Sequence, residues 1–85
     1  MKFPNTADYV YTFRKKHHLT QKQLAEVIGC HSQMISNIER GQCAIPTRAL
    51  YSLRFKYGSK FNVQNYSKAF MLDKMTQARR RVKNA

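Results

Sequence analysis

Eighty-five residues make one small domain, and a chain of this size buries only about 60% of its unfolded surface, which argues against a large solvent-excluding catalytic core. Sixteen Lys and Arg against four Asp and Glu give a formal charge of +12, so the chain seeks polyanions. With 42% hydrophobic and 24% charged residues the balance is that of a folded protein, which excludes a histone-like tail over most of its length.

The first helix is predicted to start at Asn5 or Thr6, both good N-cap types, with Asp8 in its first turn and Val10 and Phe13 on its apolar side. It closes in Lys15, Lys16, His17 and His18, where positive charge suits a helix C-terminus. A second helix opens at Thr20 as N-cap, with Gln23 at capping-box spacing, buries Leu24, Ala25 and Ile28, and stops at Gly29. After about three residues a third starts at His31 or Ser32, buries Met34 or Ile35 together with Ile38, and closes at Gly41. Two short helices joined by so tight a turn must cross rather than lie parallel.

Residues 42–46 read as a loop, and Pro46 and Thr47 restart a helix carrying Leu50, Leu53 and Tyr57 until Gly58 ends it. The alternation of Leu53, Phe55 and Tyr57 with Arg54 and Lys56, resumed by Phe61 and Val63, leaves a β-hairpin over 53–63 as the competing reading. From Asn62 to Val82 there is no Gly or Pro, and Val63, Tyr66, Phe70, Met71, Met75, Ala78 and Val82 keep helical spacing, so a long terminal helix follows. Its basic end, Arg79, Arg80, Arg81 and Lys83, reads equally as a solvated tail and as a phosphate grip.

Residues 19–41 combine a capped helix, a Gly turn and a second helix with a polar outer face, which is a helix-turn-helix. They also resemble the Cro/CI-type (XRE) family of DNA-binding domains, as in phage repressors. The family pattern is met by Leu19, Thr20, Gln21, Leu24, Ala25 and Gly29, then by Ile35, Ser36, Ile38, Glu39 and Gly41. The resemblance covers about residues 6–58 and implies an all-α, compact, lambda-repressor-like bundle of four to five helices, with a C-terminal helix added. On that reading residues 1–61 form the helix-turn-helix domain, and 62–85 are a helical extension belonging to the same domain or to a dimer contact.

The B-DNA major groove admits one helix and displays a distinct donor and acceptor pattern for each base pair. The outward positions of the third helix are His31, Ser32, Gln33, Ser36 and Asn37, and the amides of Gln33 and Asn37, four apart on one face, suit adenine N6 and N7. The resemblance places Ser32, Gln33, Ser36 and Asn37 on base-reading positions and Gln21 on a phosphate-binding one. Lys22 beside it, and Arg40, Gln42, Thr47 and Arg48 beyond the third helix, are the further phosphate candidates. Arg14 and Glu39 match a family pair joining helix one to the end of helix three, a supporting role that at an exposed rim is worth at most about 1 kcal/mol. Ala25 allows the two crossing helices to approach, and Gly29 permits the turn. His18 stands where the family often has Gly, and must either take the helix-ending conformation at some strain or lengthen the turn.

Cys30 and Cys43 form neither a disulfide framework nor a zinc pattern, and the three His do not complete one, so no metal or cofactor is expected. Cys30 is expected to behave as a small buried hydrophobe. No stretch reaches the length of a membrane span, and Pro4 interrupts any signal-peptide core, so the expected place is the bacterial cytoplasm, at the nucleoid. A carboxylate pair, an activated nucleophile and a phosphate loop are all lacking, so no enzyme is expected. The sequence thus points to a transcriptional regulator, a phage or mobile-element repressor that binds an inverted-repeat operator in double-stranded DNA as a homodimer through residues 31–39, with no small-molecule ligand evident. The alternative is an antitoxin or restriction-modification controller that binds DNA and a partner protein.

Overall fold

The computed structural model describes the backbone of residues 2–84 and the side chains of residues 2–79. Five helices follow in order: α1 (Pro4–Lys16), α2 (Gln21–Ile28), α3 (Ser32–Glu39), α4 (Thr47–Tyr57) and α5 (Val63–Asn84), with a 3-10 turn at Gly58–Lys60 between the last two. Among the described residues there is no strand. The hairpin reading of 53–63 is therefore wrong. Ala49 and Leu53 are buried with Leu50 and Tyr57 half-buried beside them, and that spacing is helical, whereas Phe55, which would have alternated into a sheet core, is fully outside.

Each turn is cut where local chemistry requires it. Thr20 accepts from the Gln23 amide at 3.0 Å while the Gln23 side chain accepts from the Thr20 amide at 2.9 Å, a complete capping box. At the other end of α2, Gly29 adopts φ 69°, and its neighbour Cys30 donates back to the Ala25 carbonyl at 2.9 Å, closing a Schellman turn. His18 makes the same closure after α1 at φ 56°, the only positive φ outside glycine among the described residues. Leu19 donates to the Arg14 carbonyl across it at 3.0 Å. The strain expected of a side chain at that position is present.

The start of α1 differs from expectation. The helix begins at Pro4, with Phe3 in the cap position and no side-chain cap of its own, so Asp8 falls beyond the first turn. Asn5 and Thr6 are not caps. Their backbone amides are the first ones inside the helix, and a carboxylate from the far end of the chain takes them up: Asp73 of α5 accepts from Asn5 N at 3.0 Å and from Thr6 N at 2.8 Å. The Thr6 hydroxyl and the Asn5 amide also donate to it, at 2.7 and 2.9 Å. Pro4 has no N–H to satisfy, so a buried anion on the positive end of the helix completes the terminus. Burial by itself raises the Asp73 pKa, but the hydrogen bonds from Thr6 and Asn5 outweigh it and hold the carboxyl below its ordinary value.

A single apolar core joins all five helices: Val10 and Phe13, Leu24 and Ile28, Ile35 and Ile38, Ile45 and Leu53, then Phe61 and Tyr66. Phe61 stands edge-on to Phe13 at 5.3 Å between ring centroids. Tyr66 adds its hydroxyl to the loop before α4, accepting from the Ile45 amide at 3.2 Å. The terminal helix therefore shares the core, but not by the whole predicted stripe. Tyr66, Phe70, Asp73 and Gln77 face α1 and the N-terminal segment, where Phe70 stacks on Phe3 at 5.9 Å and Gln77 donates to the Lys2 carbonyl at 2.8 Å. Met71 and Met75 are 60% and 51% exposed, and Ala78 is exposed with them. Val82 and the basic residues Arg80, Arg81 and Lys83 lie outside the described side chains.

Candidate nucleic-acid interface

α3 is held from behind by Ile35 and Ile38, both fully buried, with Met34 half-buried at its flank. With those positions turned inward, helical geometry sends His31, Ser32 and Gln33 to the surface and leaves Ser36 and Asn37 half-exposed beside them. His31 occupies the cap position in extended backbone and makes no side-chain cap bond. The face is uncharged until Arg40 closes it. Across it the Gln33 side-chain amide donates to Asn37 Oδ1 at 3.1 Å, and Arg40 Nη2 donates to the same oxygen at 2.8 Å.

The crossing of α2 and α3 is fixed at two places. Ala25, fully buried, lets the helices approach, and the Gly29 turn sets their angle. A polar knot beneath holds α1, α2 and α3 together: Arg14 Nε donates to Glu39 Oε2 at 2.6 Å, Arg14 Nη2 to Glu39 Oε1 at 2.9 Å, and Arg14 Nη1 to the Leu19 carbonyl at 2.9 Å. The two side chains are 9% and 7% exposed, so this is a buried, bidentate pair and not the rim contact the sequence suggested. The hydrogen bond to Glu39 raises the Arg14 pKa further above its already high ordinary value.

Gln21 sits at the start of α2, half-buried, with its side-chain amide 3.3 Å from Glu39 Oε1 as donor. The helix leaves the backbone N–H groups of Gln21 and Lys22 without an intrahelical acceptor, and Lys22 is exposed beside them. Gln42, just past the end of α3, and Thr47 and Arg48, at the start of α4, are exposed. An open groove runs between the turn, α3 and α4, lined by Cys30, His31, Gln33, Asn37 and Arg48, so that Arg48 stands on the border of the polar face. Cys30 is half-buried at the edge of this groove and not fully buried as expected, and that partial burial pushes its thiol pKa up, with Arg48 opposing.

Of the site residues predicted from sequence, Gln33, Asn37 and Arg40 are joined by hydrogen bonds, His31 and Arg48 line one groove with Gln33 and Asn37, and Arg14 and Gln21 meet at Glu39. Ser32, Lys22, Gln42 and Thr47 are exposed and Ser36 half-exposed, with no side-chain hydrogen bond among the described residues that joins them to the others. Sequence reasoning missed Asp73, whose rank as one of four acids in a basic chain, set on the Tyr66–Phe70 side of a helix, was the available signal. Among the described residues no group of three His, Cys, Asp or Glu could hold a metal ion, and no helix is long and apolar enough to cross a membrane.

A protein-family model described as helix-turn-helix matches residues 10–53, just over half of the chain, spanning the stretch from Val10 in α1 to Leu53 in α4. No curated protein and no solved structure matches significantly. A five-helix bundle with a capped α2, a Gly turn, a polar-faced α3 and that match leave one assignment: the chain belongs to the Cro/CI-type (XRE) helix-turn-helix family and is a DNA-binding transcriptional regulator.

Proposed function

We propose that the protein is a repressor of the phage or mobile-element kind that reads an inverted-repeat operator as a homodimer, with α3 in the major groove. The observation that carries this is the uncharged polar face of α3, with Arg40 and Arg48 exposed beside it. Ser32, Gln33, Ser36 and Asn37 would read base edges, with His31 beside them at the mouth of the groove. Gln21, Lys22, Arg40, Gln42, Thr47 and Arg48 would hold phosphates on either side. At Gln21 the grip combines a side-chain amide steadied by Glu39 with the free N–H groups of a helix start. Arg14, Glu39, Ala25 and Gly29 support the reading helix from within.

Residues 1–61 are taken as the DNA-binding unit and 62–85 as an extension that completes its core and offers a contact to a second copy. Met71, Leu72 and Met75 are the apolar residues of α5 that its own core does not use, at 60%, 53% and 51% exposure. A second copy is the occupant favoured here, because a single module reads few base pairs and an inverted repeat demands two. Place of action would be the bacterial nucleoid.

Changing Gln33 and Asn37 together to Ala tests the reading. Discrimination between operator and scrambled DNA should fall by about 2–6 kcal/mol, about 1–3 for each contact, while salt-dependent binding to any duplex persists. Retained discrimination would show that α3 is not the reader.

A further inference from the structure

We infer that Arg40 is a specificity-positioning residue: it fixes the side-chain amide of Asn37 so that Asn37 presents only hydrogen-bond donors to the DNA, leaving adenine recognition to Gln33. The inference rests on α3 being the reading helix, and goes beyond it by assigning a polarity to each contact.

The inventory of donors and acceptors fixes the orientation. A guanidinium carries five N–H donors and no acceptor. The Asn37 atom lying 2.8 Å from Arg40 Nη2 must therefore be the carbonyl oxygen, because an amide nitrogen there would oppose donor to donor. That removes the usual ambiguity between the two ends of an Asn side chain. The same oxygen lies 3.1 Å from the side-chain amide of Gln33, whose nearest atom must in turn be the nitrogen. The order runs from Arg40 to Asn37 and from Gln33 to Asn37, with both lone pairs of Asn37 Oδ1 engaged.

What remains free is a definite pattern. Gln33 keeps its carbonyl oxygen and one N–H, the pair that meets adenine N6–H and N7. Asn37 keeps two N–H groups and no acceptor. It cannot pair bidentately with adenine, as its residue type alone suggested, and suits a base edge made of acceptors, guanine N7 and O6 foremost and thymine O4 after it. In water these exposed bonds are weak, but a duplex closing over them excludes water and strengthens them, so turning the Asn37 amide over would break two hydrogen bonds in the bound state. As a plain phosphate grip, by contrast, Arg40 would carry no sequence information.

Selection of bound sites from random duplex DNA by the full chain tests this. Asn37→Ala marks which base pair Asn37 reads, as the one whose preference is lost. The unaltered protein should favour guanine or thymine there, and adenine at the pair read by Gln33. Arg40→Met keeps the aliphatic stem of an exposed side chain and removes its donors. It should erode the preference against adenine at the Asn37 pair about tenfold or more and leave the Gln33 pair unchanged. Uniform weakening across all sequences with the same base preferences would overturn the inference, as would adenine at both pairs in the unaltered protein. A selection with no enriched motif would overturn the reading by α3 itself, and this inference with it.

Discussion

Glu39 decides more than any other single side chain, since it ties α1 through Arg14, lies within reach of Gln21 on α2, and ends α3, on which it sits. Both members of the ion pair are almost wholly out of solvent, so removal of one leaves a charge with neither water nor partner. Glu39→Gln should destabilise the fold by about 3–5 kcal/mol, a large share of the total for a domain of this size, measurable as a lowered urea midpoint. Replacing both together, Arg14→Met with Glu39→Leu, should recover part of that loss, because the uncompensated charge is gone. The pairing itself could be suspected from the sequence, where Glu39 is one of four acids, but its burial could not. Burial depends on how α1 lies across α3, and no local pattern in either segment states that.

Between elements, the defining contact is that of α5 with the start of α1. A helix beginning at Pro4 without a side-chain cap of its own would be a weak element, and Asp73, 67 positions beyond Thr6, supplies the missing acceptor. The folded carboxyl has a pKa below its ordinary value, so between the two values the unfolded chain binds more protons than the folded one. The stabilisation is therefore complete at neutral pH, and is lost as pH falls from the ordinary carboxyl value through the depressed one. Asp73→Asn should cost about 1–3 kcal/mol at pH 7 and flatten the acid limb of stability against pH, as followed by helical circular dichroism. A variant as acid-sensitive as the parent would show that the carboxylate is not what anchors α5. The bounds of α2, its capping box and the Gly29 turn were legible because each depends on residues within about five positions, whereas the start of α1, which rests on Asp73, was not. The register of α5 was not: apolar residues lie on two of its faces, and only the N-terminus of α1 selects the one with Asp73.

For the molecule as a whole, charge and shape divide the work. The α3 face carries amides and hydroxyls, Arg40 and Arg48 stand beside it, and Lys22 is exposed at the start of α2. Each phosphate contact should add about 0.9 to the slope of log K against log salt. Deleting residues 79–85 leaves Asp73 and Gln77 with their partners, so stability should be retained. If the basic tail grips phosphates, affinity for all sequences should drop alike and the slope should flatten; an unchanged slope in a binding titration would mark the tail as solvated only. Met71→Glu with Met75→Glu should convert a dimer to monomer by sedimentation and weaken binding to a two-half-site operator far more than to a single half-site. Unchanged sedimentation would remove α5 as the contact.

The amino-acid sequence by itself determined an all-α chain, the helix-turn-helix, its family and the identity of the outward residues of α3, because all of these follow from caps, glycines and apolar spacing over short distances. Tertiary structure alone decided that Arg14 and Glu39 are buried and that Asp73 caps α1. The physical reason is common to both. A hydrogen-bonding group takes its role from the partner brought to it, and that partner is supplied by the packing of helices. The opening charge of +12 named a polyanion, and only the folded arrangement distinguishes the residues suited to hold it from those suited to read it.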